Sequence, residues 1–272
     1  MKTKLLPCLL IAFCLCSCYR QAYFVSPLNG ISNPYTTIPL QSDSVKSAFY
    51  INNTVSVGSA NDQGRDNIFA FQTRLSQSFN FKGLQAYYGV GLYLGNYTLK
   101  PYDSLNSSST INYHILNQYA GSKFFGAAGF NAGINAVVPF DRGGEWRVVG
   151  FETFLNQEFG DYLQFRQHLP DSAATYIARK AFFATLDVYT ELVDKTKTGS
   201  MSFKMGVGTA LGRDYHSNIR NSYEFFTADI PGYYYTNFTF QATVKKWTAY
   251  GQLCFATKAT NALFGFNYRL GK

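Results

Sequence analysis

The sequence predicts an all-β protein, an antiparallel up-and-down transmembrane β-barrel of about ten strands. Two observations carry that expectation. Apolar residues alternate with polar or small ones at period two, over segments long enough to cross a bilayer. The links joining those segments alternate between short and long. Composition agrees: 25 Phe, 21 Tyr and 23 Gly accompany only 15% charged residues. Mean hydropathy is −0.13, as expected where alternation dilutes the apolar residues of a barrel wall.

The chain opens with Lys2, Lys4 and an apolar run from Leu5 to Leu15, followed by small residues. This is the layout of a secretory signal. At 11 residues the run is too short for a membrane helix, which needs about 20. Leu15-Cys16-Ser17-Cys18 resembles the lipobox of bacterial lipoproteins, with an aliphatic residue at −3 and Ser at −1. Cys16 at −2 is an unusual but small residue. The resemblance implies a signal peptide over residues 1–17, covalent diacylglycerol and acyl chains (palmitate) on Cys18, and anchorage to outer-membrane lipids. A simple signal peptide cut nearby is the alternative. Of five cysteines only Cys254 then remains unmodified, so no intramolecular disulfide is available. No Cys/His cluster or HExxH motif points to a metal. The mature charge of about +6 is scattered, which argues against a nucleic-acid partner.

Residues 18–46 form a lipidated N-terminal periplasmic segment ahead of a barrel domain over 47–272. Pro27, Pro34 and Pro39, with the turn signals Asn29-Gly30 and Asn33-Pro34, predict no regular element there. Tyr19, Tyr23, Phe24 and Tyr35 make the segment too aromatic for a purely solvated linker. Part of it packs on the periplasmic mouth or enters the barrel on this reading; a loose tether is the alternative.

Strands are expected over 47–58, 67–81, 84–99, 124–140, 145–157, 181–194, 200–213, 232–245, 247–257 and 260–270. In the third, Leu84, Ala86, Tyr88, Val90, Leu92 and Leu94 share one face, opposite Gln85, Tyr87, Gly89, Gly91, Tyr93 and Gly95. In the seventh, Met201, Phe203, Met205, Val207 and Leu211 oppose Ser202, Lys204, Gly206 and Gly208. The last sets Ala262, Phe264, Phe266, Tyr268 and Leu270 against Gly265, Asn267 and Arg269. Links after the second, fourth, sixth and eighth strands are short; those after the third, fifth and seventh are on the order of 20 residues, like the external loops of outer-membrane barrels. The link after the ninth is short and breaks the rhythm. An even strand count puts both termini in the periplasm. Some surface lipoproteins carry an acidic export signal just after the lipidated cysteine; Tyr19-Arg20-Gln21-Ala22 has no acid, and likeness to that family then implies a periplasmic anchor. Closure follows from the cost of unpaired backbone groups in hydrocarbon, several kcal/mol each. Eight or twelve strands are the alternatives, since pairing of Asn112 to Tyr119 as a strand extension would change the count. Trp146 and Trp247, beside short turns, suit an aromatic girdle.

Inward parity collects Arg74, Glu152, Asp187, Glu191, Lys204 and Arg269, among Gln72, Gln85, Asn131, Asn135, Gln241 and Asn267. Mixed signs allow buried pairing, and a narrow barrel is filled by such side chains. This predicts a polar core in place of a wide pore.

Some small barrels are enzymes acting on peptides or lipid A, with His and acids at the outer rim. His114, His168 and His216 all fall in predicted external loops, with His216 near Asp214 and His168 near Asp171. His216, Asp214 and His168 are therefore candidates for acid–base work, which requires hydrogen-bond reach between them. The competing readings are a structural or interaction barrel, a narrow channel, and a lipid-anchored periplasmic β-sandwich that binds a ligand. Long loops rich in Tyr, Asn and Ser suit a surface ligand or protein partner. Leu40-Gln41-Ser42-Asp43-Ser44-Val45-Lys46, Gly64-Arg65-Asp66-Asn67 and Gln85-Ala86-Tyr87-Tyr88-Gly89 resemble uncharacterised lipoproteins of Bacteroidota. That resemblance implies a gram-negative outer membrane and a general shape, and carries over no catalytic residue.

Overall fold

Ten strands close into one antiparallel ring in the computed structural model of this protein, which describes residues 23–31, 33–43, 45–59, 66–101, 113–141, 143–174, 176–211, 234–256 and 259–271. The ring is β2 (Ser47–Gly58), β3 (Asp66–Phe81), β4 (Leu84–Leu99), β5 (Gly121–Pro139), β6 (Glu145–Phe159), β8 (Phe182–Lys195), β9 (Gly199–Leu211), β10 (Tyr234–Val244), β11 (Trp247–Ala256) and β12 (Ala259–Leu270), and β12 closes onto β2. These match the expected segments to within about three residues at each end. Closure rules out the sandwich, which would leave edges.

Period two builds the wall. In β9, Met201, Phe203, Met205 and Val207 are exposed outside the ring, while Ser202, Lys204, Gly206 and Gly208 are buried inside. Bulky apolar residues such as Phe71, Val90, Phe151, Leu192, Phe240 and Phe264 cover the outside, each at least two-fifths exposed. A polar lumen inside an apolar exterior is the reverse of a water-soluble protein, which rarely exposes an apolar area of this extent. Small residues make room for large ones within the lumen. A Cβ on Gly91 would lie 2.6 Å from the Arg74 side chain, and one on Gly208 would strike both Asp187 and the Tyr235 ring.

The ring has two unlike ends. One carries short turns at Lys82-Gly83, residues 140–144, residues 196–198 and Lys245-Lys246. The other carries the links 59–65, 100–120, 160–181 and 212–233, together with the two-residue link 257–258 between β11 and β12. Lys245 adopts φ 56°, a left-handed conformation costly for a side chain with a Cβ. Lys245→Asn is expected to stabilise the barrel by about 0.5–1 kcal/mol. A urea unfolding midpoint that fails to rise would contradict this.

Local structure settles one open alternative, adds detail to one link and corrects one expectation. Tyr113–Gln118 forms a helix, α1, in place of an added strand. The link 160–181 is structured by α2 (Asp161–His168), a 3₁₀ turn at Asp171–Ala173 and the short strand β7 (Tyr176–Ile177). The N-terminal segment contains a regular element, β1 (Tyr23–Phe24), paired in parallel with β7. That pairing puts Tyr23 at the long-loop end. Gly271 lies at the opposite end, its carbonyl accepting from Lys246 Nζ at 2.5 Å. The described chain therefore does not begin on the side where it ends, contrary to the expectation of two periplasmic termini.

Candidate functional site

Between β1 and β2 the chain descends the whole lumen, and the wall holds it at every level. At the long-loop mouth Ala178 N donates to Phe24 O at 2.8 Å, and Tyr162 Oη donates to Val25 O at 3.0 Å. Burial pushes the Tyr162 phenol above its ordinary value, with the Arg166 guanidinium pulling the other way, so Tyr162 stays a donor. Phe24 meets Phe165 edge-on at 5.1 Å, and Tyr97 stacks on Tyr162 at 4.0 Å. Arg166, fully buried, pairs with Glu158 and donates to Ala178 O at 2.7 Å. Leu28 and Ile31, both 0% exposed, join this apolar cluster with Ile68, Tyr93 and Leu263. The core of the protein is thus the plugged upper lumen.

Polar bonding takes over below. Gln72 Nε2 donates to Ile31 O at 3.0 Å, Gln252 Nε2 to Asn33 O at 3.0 Å, and Asn33 Nδ2 to Tyr235 Oη at 2.9 Å. Tyr235 passes the chain on, donating to Asp187 Oδ2 at 2.8 Å. Arg74 Nη2 donates to the carbonyls of Pro34 at 2.9 Å and Tyr35 at 3.0 Å. Tyr35 Oη donates to Glu191 Oε1 at 2.8 Å. Near the short-turn end Gln85 Nε2 donates to Pro39 O at 2.9 Å, Asn80 Nδ2 to Leu40 O at 2.7 Å, and Ser42 Oγ to Gly143 O at 2.8 Å.

Five of the six predicted lumenal charges are buried: Arg74, Glu152, Asp187, Glu191 and Lys204. Lys204 Nζ pairs with Glu152 at 2.6 Å and lies 3.8 Å over the Tyr189 ring. Arg74 holds carbonyls of the plug instead. Arg269 is half-buried and stands apart, lining a basic cavity of about 390 Å³ at the short-turn mouth with Lys195, Lys197, Lys245 and Lys246.

A buried three-residue charge cluster was not predicted. Arg147, 1% exposed, pairs with Glu191 at 2.7 Å and Glu145 at 3.0 Å, and its Nη2 donates to Ile38 O at 3.0 Å. Strict period two from Glu152 puts Glu145 and Arg147 outside. A register shift between Arg147 and Gly150 inserts an extra residue and swaps the parity, so both point inward. The weak signal was two charges of opposite sign, two residues apart, in a segment whose outward face is otherwise apolar.

The rim candidates do not assemble among the described residues. His168 ends α2, exposed, with Nδ1 2.8 Å from Gln164 O of its own helix. Asp171 pairs with Arg179 at 2.5 Å. His114 is exposed on α1. His216, Asp214 and Cys18 lie outside the described residues. Trp146 and Trp247 are both exposed on the outer wall beside short turns, with Trp146 Nε1 donating to Thr190 Oγ1 at 2.9 Å.

No family model and no curated protein matches the chain. Among solved structures it is similar to the translocator domain of autotransporter NalP from Neisseria meningitidis, at 12% identity and TM-score 0.41, over 83% of this chain and 89% of that one. It is also similar to the KdgM porin, at 11% identity and TM-score 0.30, over 82% and 99% respectively. The transport unit of autotransporter AIDA-I from Escherichia coli gives 9% identity and TM-score 0.36, over 89% and 95%. Likeness of this degree carries nothing about activity, and the barrel is read from this chain's own strand pairing.

Proposed function

We propose that this protein is an outer-membrane β-barrel lipoprotein sealed by its own N-terminal segment, a non-conducting scaffold that presents its long loops to a surface ligand or protein partner. The observation that carries this reading is the occupation of the lumen by residues 23–31 and 33–40, all buried and bonded to the wall from one mouth to the other. The apolar exterior supports residence in a bilayer, and closure satisfies the backbone there. Short turns at one end and long links at the other support the usual orientation, with the long links outside. The Leu15-Cys16-Ser17-Cys18 segment supports a lipid on Cys18. A wide-channel reading lacks a lumen free for solute.

The test combines three measurements on outer-membrane fractions and purified protein. The folded band is expected to migrate differently from the boiled band in SDS gels. Palmitate is expected to label wild type and not Cys18→Ala. In planar bilayers the wild-type protein is expected to stay closed, and sustained conductance steps would refute the seal.

A further inference from the structure

We infer that the barrel threads its own N-terminus outward, so that the acyl chains on Cys18 enter the outer leaflet at the cell surface and not the periplasmic leaflet. This rests on the lipoprotein-barrel reading above. The direction of threading is set by two anchors. Ser47, the start of β2, pairs with Phe79 beside the Lys82-Gly83 turn, at the short-turn end. Tyr23 and Phe24 pair with Tyr176 and Ile177, inside the long link 160–181. The chain between them spans the lumen once, from outside to inside.

Chain geometry then limits where Cys18 lies. It precedes Tyr23 by five residues, a reach of about 18 Å at most. Ten strands about 4.8 Å apart and tilted about 45° make a ring of roughly 11 Å radius, so five residues suffice to cross the rim to the neighbouring outer leaflet. The periplasmic leaflet lies beyond an apolar band about 25 Å tall, which exceeds that reach. The alternative route back through the lumen is filled by the plug, with Leu28 and Ile31 wholly buried across it. Threading also needs no acidic signal in residues 19–22, because the barrel itself carries the segment across. The lipid and β1 then hold the plug from its outer end, while β2 holds it from the inner one.

Single-cysteine variants read the topology directly. Cys254 is 1% exposed, so wild type supplies a low thiol background. Gln21→Cys, Ser108→Cys in the β4–β5 link and Lys82→Cys in the β3–β4 turn are each treated with a membrane-impermeant maleimide, on intact and on permeabilised cells. Gln21→Cys is expected to react on intact cells as fully as Ser108→Cys, while Lys82→Cys reacts only after permeabilisation. Reaction of Gln21→Cys only after permeabilisation overturns the proposal, as does absence of acyl label on wild-type Cys18. If Gln21→Cys is silent under both conditions, Arg20→Cys repeats the reading, and silence there too overturns it. Loss of the heat-dependent gel shift would instead bring down the barrel reading itself. A retained shift with Gln21→Cys reactive only after permeabilisation defeats the threading alone.

Discussion

Arg147→Ala is expected to destabilise the barrel by about 3–5 kcal/mol, the range for removing one partner from a buried charge network. The substitution leaves Glu145 and Glu191, 0% and 2% exposed, without their shared guanidinium, and removes a donor from Ile38 O of the plug. The measurement is the temperature at which the folded gel band gives way, or the urea midpoint in detergent. Arg147→Met combined with Glu145→Gln and Glu191→Gln is expected to recover much of the loss, since neutral groups of similar volume remove the buried charges together. If Arg147→Ala alone leaves both midpoints unchanged, the network is not structural.

Deleting residues 23–40 is expected to convert a closed barrel into a conducting one. The plug buries Leu28, Ile31 and Ile38 in the lumen, each contributing roughly 1.5–3 kcal/mol relative to exposure. It also occupies Arg74, Gln72, Gln85 and Gln252 as donors. Without it those side chains line a water-filled passage, and discrete conductance steps absent from wild type are expected in planar bilayers. Thermal stability falls in the same variant, because the aromatic and apolar contacts of Phe24, Leu28 and Ile31 at the long-loop mouth are lost. A deletion variant that folds, shifts on gels and stays closed would show that the wall side chains alone block the lumen.

The two predictions draw on residues of very different visibility in the sequence. Strands such as Leu84–Leu99 were readable because side-chain alternation and turn spacing are local properties, written in consecutive residues. Lys204, Glu152 and Asp187 were readable as lumenal for the same reason. Glu145 and Arg147 were not, because one inserted residue in β6 reverses the face of everything before it. The plug was only half visible. Prolines and aromatics marked residues 19–46 as neither strand nor plain linker, but an aperiodic segment carries no pattern that says where it runs. Its partners, such as Asn33 with Tyr235 or Ile38 with Arg147, are more than 100 residues away in sequence.

By itself the sequence determined the all-β class, about ten alternating strands with their inward and outward faces everywhere but the start of β6, and the unequal lengths of the links. These follow from period two and from local turn chemistry, which act between neighbours in the chain. Tertiary structure alone decided that the lumen is filled, that Arg147 sits at the centre of its charges, and that the chain enters the barrel from the long-loop end. Those outcomes depend on which distant groups satisfy buried donors and acceptors, and only closure of the ring brings them within hydrogen-bond reach.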